Sequence, residues 1–303
     1  MPHLIDHRHQ HFLLDARLAP VLTVKPGAEV TFQTLDACCG EVRSVEQFLA
    51  RRKTDRPSNP MTGPVFVEGA EPGHTLVVEI LNIQLDPDGF QLIGPQRAII
   101  QDEIKDWTCY AFQVRGDRVI FPNGLEVPVD PVIGQFGNAP AGEPTSHPNP
   151  LGGNQDCPAV RTGVKLYLPV AVKGALFSLG DVHACQGDGE VVGAPEIGAR
   201  VTVRIELLPH PHSPRYMIED ATHWHTCGTG ETEAEAVKVA VFANAHFIEQ
   251  RYGLAWKDAL ILLTLIGRLN VSRTAKWGTQ GPVVCSSFSK ELAEKAATNY
   301  RQG

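Results

Sequence analysis

The stretch from 166 to 190 constrains the fold more than any other, because apolar runs there lead directly into a glycine-rich turn. The runs 166–172 and 175–179 have the length and composition of strands. Hydrophobic strands hold a backbone rigidly, while glycines let a loop bring several polar side chains to one point. The turn carries five such side chains within ten positions: Asp181, His183, Gln186, Asp188 and Glu190. The stretch therefore predicts a functional site supported by strands.

A second loop repeats this pattern upstream. Gly152-Gly-Asn-Gln-Asp156 places two glycines before an amide and a carboxylate. We expect the two loops to form one site. The alternative is that their carboxylates cap backbone amides, and for Asp156 an Asx-type turn would suffice. Spacing leaves both interpretations open.

The composition indicates a globular protein with a small-molecule partner. The 303 residues suit one large domain or two modest ones, and 43% apolar with 20% charged residues is typical of globular chains. A net charge of -7 argues against a nucleic-acid or anionic-membrane surface. No apolar run reaches the ~18 residues of a membrane span, and 1–11 lacks the apolar segment of a signal peptide. Seven cysteines without regular spacing predict reduced thiols and a cytoplasmic location.

The pattern along the chain predicts strands first and helices later. Apolar and polar residues alternate in 29–35 and 197–208, and the prolines of 119–133 restrict that segment to short or edge strands. The proline and glycine content of 137–156 predicts a long functional loop. The sequence thus indicates an α+β fold, predominantly β, with a β-rich part over roughly 1–208 and a helix-rich part over roughly 209–303.

Four helices are predicted. Residues 41–52 form a short one, and Thr232 to Glu235 matches a capping box that opens a helix ended by Gly253. The run 256–269 is apolar nearly all round, which predicts a helix buried in the core or at a subunit interface. Residues 290–301 form a more polar helix.

The polar cluster offers oxygen and nitrogen ligands that suit a divalent cation. Asp181 and His183 project from the same face of a strand because its side chains have a period of two. With Asp156 and Glu190 they could hold zinc, calcium or manganese. A metal held in this way can polarise a carbonyl and activate water for hydrolysis.

Three other motifs could carry chemistry. His223-Trp-His225 could bind a metal, and Cys285-Ser-Ser-Phe-Ser-Lys290 places nucleophiles beside a lysine, although a helix start at Ser289 accounts for its last two residues without chemistry. Cys185 could be a thiolate nucleophile or ligand, or a packed thiol. Neither a Walker loop nor a dinucleotide-binding glycine motif is present.

The chain resembles the acetamidase/formamidase family. The stretch from Gly174 to Glu190 contains the family's Gly-Asp-x-His-Ala-x-Gln-Gly-Asp-Gly-Glu string almost unchanged. Further segments match in the expected order, namely Gly63 to Gly73, Asn138 to Pro140, Gly152 to Asp156 and Leu166 to Val170. Ala28, His74 and the segment 192–197 depart from the family pattern, which leaves substrate choice open.

The resemblance implies a jelly-roll-like β-sandwich core with an added α/β portion, forming one catalytic unit over 1–303 and assembling as a homodimer. It implies metal-assisted hydrolysis of a short linear amide, of the formamide or acetamide class, to carboxylate and ammonia. The implied metal ligands are Asp156, Asp181 and His183, with Asp36 as a further candidate and zinc as the expected ion. Glu190, His183, Gln186 and Asp188 are the implied catalytic residues.

These residues suggest a mechanism in which Glu190 takes a proton from water and passes it to the leaving amine. Glu190 could instead be a metal ligand. The competing hypotheses are a hydrolase of a larger amide or imide, and a ligand-binding protein without activity on the same scaffold.

Overall fold

The computed structural model describes residues 2–95, 100–274 and 280–300. Within these ranges the chain forms eighteen strands and four α-helices. The strands are β1 His3–Ile5, β2 Gln10–His11, β3 Leu22–Val24, β4 Ala28–Thr34, β5 Met61–Val67, β6 Thr75–Ile93, β7 Thr108–Arg115, β8 Arg118–Ile120, β9 Glu126–Pro128, β10 Val132–Gly137, β11 Gly152–Asn154, β12 Lys165–Pro169, β13 Phe177–His183, β14 Glu196–Leu208, β15 Met217–Glu219, β16 His223–Thr229, β17 Gly267–Arg273 and β18 Val283–Ser289. The helices are α1 Val45–Arg52, α2 Glu233–Tyr252, α3 Trp256–Ile266 and α4 Lys290–Tyr300.

β14 is the central strand of the larger group, because it pairs antiparallel with β4 on one side and β6 on the other. Val201 of β14 lies opposite Phe32 of β4 and Ile83 of β6. All three side chains are buried, as the alternating pattern requires of a strand with one face in the core. The first four residues of β14 are buried on both faces and reach β13, where His183 lies opposite Glu196.

β13 carries the site, and it is buried along its whole length. It pairs antiparallel with β5, β10 and β14. Gly180 permits this crowding, because a Cβ there would lie 2.2 Å from the carbonyl oxygen of Pro60. The neighbouring strands therefore fix the end of β13 from several sides.

A second group of strands supports the helices. β16 pairs with β15 and β18, and β18 pairs with β17. β12 joins the two groups because it pairs with both β6 and β15. Trp224, Phe247 and Phe288 form the centre of a separate apolar core between these strands and the helices.

The helix predictions agree with the structure at the capped ends. Thr232 and Glu235 form the predicted capping box of α2, and Gly253 ends the helix with a left-handed φ of 73°. The short helix α1 begins at Val45 with Ser44 as its N-cap, four residues later than predicted. α4 extends to Tyr300, and Arg301 lies outside the described residues.

The prediction of a helix over 256–269 was wrong at its end, and burial in the core holds for only one face of the helix, while burial at a subunit interface stays a prediction. α3 stops at Ile266, and Gly267 begins β17, whose ladder with β18 replaces the helical hydrogen bonds. Ala259 and Leu262 are buried, whereas Ile261 and Leu265 are exposed by 58% and 74%. Helical periodicity could not reveal a pairing with a strand further along the chain.

The fold is mostly β, and most of its strand pairs are antiparallel, which confirms the predominantly β prediction. The jelly-roll arrangement and the division near residue 208 stay predictions. Strands β15 to β18 lie beyond that division, together with α2, α3 and α4. Of the described helices, none has both the length and the apolar composition needed to cross a lipid bilayer.

Gly228 of β16 lies directly against the backbone of α2, so a side chain at this position should destabilise the fold. A Cβ there would lie 2.1 Å from the carbonyl oxygen of Ala236 and 2.5 Å from the amide nitrogen of Ala240. We expect Gly228→Ala to lower the free energy of unfolding by about 1–3 kcal/mol, because the helix must move outward. Urea unfolding followed by circular dichroism measures the loss. Gly142→Ala is the control, since a Cβ there would meet no atom within 4 Å, and equal stability of the two variants would contradict the packing argument.

Candidate functional site

Three side chains from two strand ends meet at the candidate site. Asp181 and His183 lie at the end of β13, and Asp156 follows β11. Each of the three offers a ligand atom, and these atoms lie within 4.8 Å of one another. All three side chains are buried. The two loops that the sequence predicted to form one site are thus brought together.

The backbone at this point adopts conformations that are unusual for residues with a Cβ. Asp156, Asp181 and Glu190 have φ angles of 45°, 56° and 41°. Non-glycine residues in this region are uncommon, and they cluster where surrounding structure holds a strained backbone for function. Here the strands beside β13 supply that support.

Gly134 of β10 makes room for the group. A Cβ at this position would lie 2.6 Å from Asp156 Oδ1, 2.8 Å from His183 Cε1 and 2.9 Å from the carbonyl oxygen of Asp181. Any larger residue would displace the Asp156 and His183 side chains and the Asp181 backbone, so the absence of a side chain at Gly134 is part of the site.

Gln186 orients the imidazole of His183. The Gln186 amide nitrogen donates to the carbonyl oxygen of Asp156 at 2.6 Å, so its oxygen faces His183 Nδ1 at 2.7 Å. An amide oxygen can only accept, which places a proton on Nδ1. Nε2 then faces Asp181 Oδ1 at 3.8 Å and Glu196 Oε2 at 3.9 Å. This arrangement resembles that of metal-binding histidines, whose second nitrogen is held by a hydrogen bond.

The group lines a cavity of about 260 Å³. Glu190 and Glu196 contribute two more carboxylates to its wall. Polar side chains complete the lining: Ser58, Asn59, Gln135, Ser146, Asn154 and Gln280. Asn59 donates to Asp181 Oδ2 at 2.7 Å. The cavity is therefore small, polar and rich in negative charge.

Burial and mutual repulsion shift the pKa values of the carboxyl groups. Desolvation, strengthened by the charge of Asp156, raises the pKa of Glu190 well above its ordinary value. Desolvation also raises the pKa of Asp156, although the charge of Arg273 opposes it. Burial alone would lower the pKa of His183, but contact with Asp181 and the charge of Glu196 more than offset it and raise that pKa well above its ordinary value.

Arg273 supplies the buried positive charge. Its guanidinium is fully buried, and Nη1 donates to Asp156 Oδ2 at 2.8 Å. The same nitrogen donates to the carbonyl oxygen of Asn154 at 3.1 Å. The side-chain amide of Asn154 lies within 3.1 Å of both carboxylates when its nitrogen faces Asp156 and Asp181. Even so, one arginine cannot neutralise four nearby carboxylates.

The donor set fits a divalent cation. Asp181 Oδ1 and Glu190 Oε2 are buried, and neither accepts a hydrogen bond from the described residues. Buried carboxylate oxygens are normally paired, hydrogen-bonded or bound to a metal. Two carboxylates and an imidazole whose Nε2 releases its proton to bind the ion form a ligand set that zinc, among other ions, accepts.

Several predicted site residues lie apart from this group. The Asp36 carboxylate accepts from the amides of Cys38 and Gly40 and from Arg43 Nη1, so its ligand capacity is used elsewhere. Asp188 is exposed and accepts from Asn270 Nδ2 at 2.6 Å. Their roles as ligand and catalytic residue stay predictions.

The other candidate motifs also lie outside the 260 Å³ cavity. Cys185 lines a neighbouring cavity of about 420 Å³. His223, His225 and Cys285 line a third cavity of about 480 Å³. Cys285 belongs to β18 and does not lie in a loop before a helix.

Sequence reasoning missed Glu196, Arg273 and Gly134. Glu196 lies opposite His183 in the β13–β14 ladder, and only the strand register reveals that contact. Arg273 comes from β17, a strand that the sequence analysis did not predict. For Gly134 the sequence did hold a signal. A lone glycine between the hydrophobic residues of segment 132–136 indicates that another part of the backbone approaches the strand closely there.

Comparisons with known proteins identify one family. The model of the Acetamidase/Formamidase family matches residues 6–149 and 135–225. The chain is 27% identical to an acetamidase of Mycolicibacterium smegmatis and 25% identical to a formamidase of Methylophilus methylotrophus. The acetamidase match covers 61% of this chain and 63% of the acetamidase. The formamidase match covers 63% of this chain and 62% of the formamidase, so this chain spans less than two thirds of either relative.

Solved structures match over nearly the whole chain. A crystal structure of an acetamidase from Bacillus halodurans has a TM-score of 0.89 at 31% identity, covering 96% of this chain and 99% of that one. The crystal structure of a predicted acetamidase/formamidase from Thermoanaerobacter tengcongensis has a TM-score of 0.89 at 28% identity. This match covers 97% of this chain and 98% of that chain. A gamma lactamase from Delftia acidovorans, at 20% identity and a TM-score of 0.62 over 95% of this chain and 90% of that one, shares the fold.

The pairing of Arg273 with Asp156 generates a prediction for the metal-free protein. Arg273→Met leaves the Asp156 carboxylate buried without its cation, and we expect the free energy of unfolding to fall by about 3–5 kcal/mol. Denaturant titration measures it. Arg204→Met is the matched control, because Arg204 pairs with Glu29 and Glu79 at an exposed position. We expect this variant to lose much less of its free energy of unfolding. Equal losses would contradict a special role for the buried pair.

Proposed function

The chain belongs to the acetamidase/formamidase family, and from that premise we propose that it hydrolyses a short linear amide to a carboxylate and ammonia. The observation that supports this proposal best is the convergence of Asp156, Asp181 and His183 on the wall of a 260 Å³ cavity that Glu190 also lines. Formamide and acetamide are the substrates that we assign, because a cavity of this size suits a molecule of a few heavy atoms.

We assign a resident divalent metal ion to Asp156, Asp181 and His183, with zinc as the expected ion. Such an ion supplies a Lewis acid that polarises a carbonyl and lowers the pKa of bound water. The hydrogen bond from His183 Nδ1 to Gln186 leaves Nε2 as the atom that faces the ligand group. Asn59 holds the Asp181 carboxylate in place through Oδ2.

Glu190 is the residue to which we assign proton transfer. Its carboxyl group is buried beside the ligand group, and its raised pKa makes the carboxylate a better base than an exposed glutamate. In the forward reaction it accepts a proton from the attacking water and delivers it to the departing nitrogen. Arg273 donates to Asp156 next to it, and its charge opposes the rise in the pKa of that carboxyl group that burial causes.

A larger amide or an imide is the second candidate substrate. Glu190 also lines the neighbouring cavity of about 420 Å³, together with residues of the divergent 192–197 segment. A substrate with a longer acyl group could place its amide at Glu190 and its acyl chain in this second cavity. The acyl-size preference of the enzyme distinguishes the two candidates.

We predict that Glu190→Gln abolishes ammonia release from formamide and acetamide while the fold survives. Glutamine matches the neutral acid in shape, so stability is retained, but it cannot accept the proton; a loss of at least 100-fold in kcat is expected. A coupled ammonia assay and thermal unfolding measure the two effects. Treatment with a chelator should also remove activity, and added Zn²⁺ should restore it.

Glu68→Gln is the control for this experiment, because Glu68 is exposed in the turn after β5. A fully active Glu190→Gln protein would exclude the base assignment. Activity that survives complete metal removal would exclude the metal. No hydrolysis of any amide in a series graded by acyl size would favour the ligand-binding alternative.

We also propose a homodimer in the cytoplasm. The exposed Ile261 and Leu265 lie one turn apart on α3, and Leu269 of β17, which directly follows that helix, is 53% exposed. Adjacent apolar side chains in contact with water favour association. All seven cysteines are free, as is typical of a reducing compartment.

Leu265→Glu tests the dimer. A buried carboxylate at an apolar interface costs several kcal/mol, so we expect this variant to sediment as a monomer at concentrations where the wild-type chain is dimeric. Leu125→Glu is the control, because Leu125 is 55% exposed in the turn between β8 and β9. A wild-type chain that sediments as a monomer at all concentrations would contradict the proposal.

A further inference from the structure

Three buried cysteines lie together, and one of them directly follows Asp156 in the chain. Cys157, Cys227 and Cys285 place their Sγ atoms within 4.8 Å of one another. Cys227 of β16 and Cys285 of β18 are direct partners in the antiparallel ladder. Cys157 reaches them from a turn closed by the hydrogen bond from Val160 to the Cys157 carbonyl. Three distant parts of the sequence thus converge on one point.

A histidine completes the group. His225 lies two residues before Cys227 on β16, so both side chains project from the same face. His225 Nδ1 lies 4.0 Å from Cys285 Sγ. Its Nε2 lies 2.7 Å from Asp220 Oδ2, and a hydrogen bond there leaves Nδ1 with a lone pair directed at the sulfurs.

Asp220 is itself held firmly. Its Oδ1 accepts hydrogen bonds from the amides of Thr222 and His223 at 2.6 Å and 2.7 Å. The carboxylate therefore fixes the orientation of His225 before any ligand binds. A carboxylate behind a histidine is the usual outer support of a protein metal ligand.

From this geometry we propose that Cys157, Cys227, Cys285 and His225 form a second metal site, for zinc or a similarly soft cation. Three thiolates and one imidazole are a recognised tetrahedral zinc set. Zn–S bonds of about 2.3 Å place the sulfurs about 3.8 Å apart, and the three sulfurs already lie within 4.8 Å of one another. Each thiol that binds the ion releases its proton to solvent.

The site has an entrance. Cys157, Cys285 and His225 line the cavity of about 480 Å³, together with Ser272 and Ser287. An ion can therefore reach the sulfurs without unfolding the sheet. The site differs from the carboxylate group in chemistry, because sulfur ligands select soft ions while carboxylates accept hard ones.

Two other interpretations explain less of the geometry. A nucleophilic Cys285 activated by His225 and Asp220 would resemble a catalytic triad, but the 4.0 Å separation from His225 Nδ1 is long for a thiol hydrogen bond. It also gives no role to Cys157 and Cys227. A disulfide between two of the three cysteines would leave the third thiol and the fixed histidine unexplained.

Cobalt titration of the full chain tests the proposal. Protein purified with reductant and stripped by a chelator receives Co²⁺, and thiolate-to-cobalt charge-transfer absorption reports ligation by sulfur. We expect one equivalent to produce this absorption and Zn²⁺ to displace it. Asp181→Asn should retain the absorption although it disrupts the carboxylate group, so the result does not depend on amidase activity.

Variants assign the ligands. Cys285→Ser should remove most of the absorption, and Cys109→Ser, at a cysteine outside the group, should leave it unchanged. Asp220→Asn keeps the sulfurs and should weaken cobalt binding by about 10- to 100-fold through the loss of outer support. Because Asp220 is partly exposed, this variant remains informative if Cys285→Ser fails to fold.

Three results would overturn the proposal. One is the absence of charge-transfer absorption in a folded, fully reduced wild-type protein. Another is absorption that Cys285→Ser and Asp220→Asn leave unchanged. The third is a disulfide between two of Cys157, Cys227 and Cys285, identified by peptide mapping of protein prepared without reductant.

Discussion

The structure depends on the burial of negative charge. Asp156, Asp181, Glu190 and Glu196 line one small cavity, and all four are nearly inaccessible to solvent. Isolated carboxylates are costly to desolvate, so such a group persists only with protons, buried cations or strong hydrogen bonds to compensate. Arg273 and His183 supply part of this compensation. The negative charge that these two groups leave uncompensated makes the site suitable for a divalent ion.

The sheet provides the rigidity that this charge requires. β13 is held by β5, β10 and β14, so the strained backbone of Asp181 cannot relax to a more common conformation. Gly134 removes the one side chain that would separate the ligands. A loop without these neighbours would allow the carboxylates to move apart into water, and their pKa values would return toward normal.

Asp156 and Cys157 show how one short segment can serve two environments. The Asp156 carboxylate lines the charged cavity, while the Cys157 thiol lies beside those of Cys227 and Cys285. Gln186 links the two regions, because it donates to the Asp156 carbonyl and lines the cavity beside the thiols. Gln186 thus borders both the carboxylate site and the cavity of the sulfur group.

Local sequence determined what depends on near neighbours. The two-residue spacing of Asp181 and His183 fixed their common face, and the capping box at Thr232 fixed the start of α2. Family likeness pointed to Asp156 as their companion. Tertiary structure alone decided the rest: Glu196 reaches His183 through strand register, Arg273 lies on a strand that the sequence did not predict, and Asp36 pairs with Arg43. The physical reason is that periodicity and capping are short-range, whereas strand pairing and charge compensation join residues far apart in the chain, and no local pattern encodes which of them will meet.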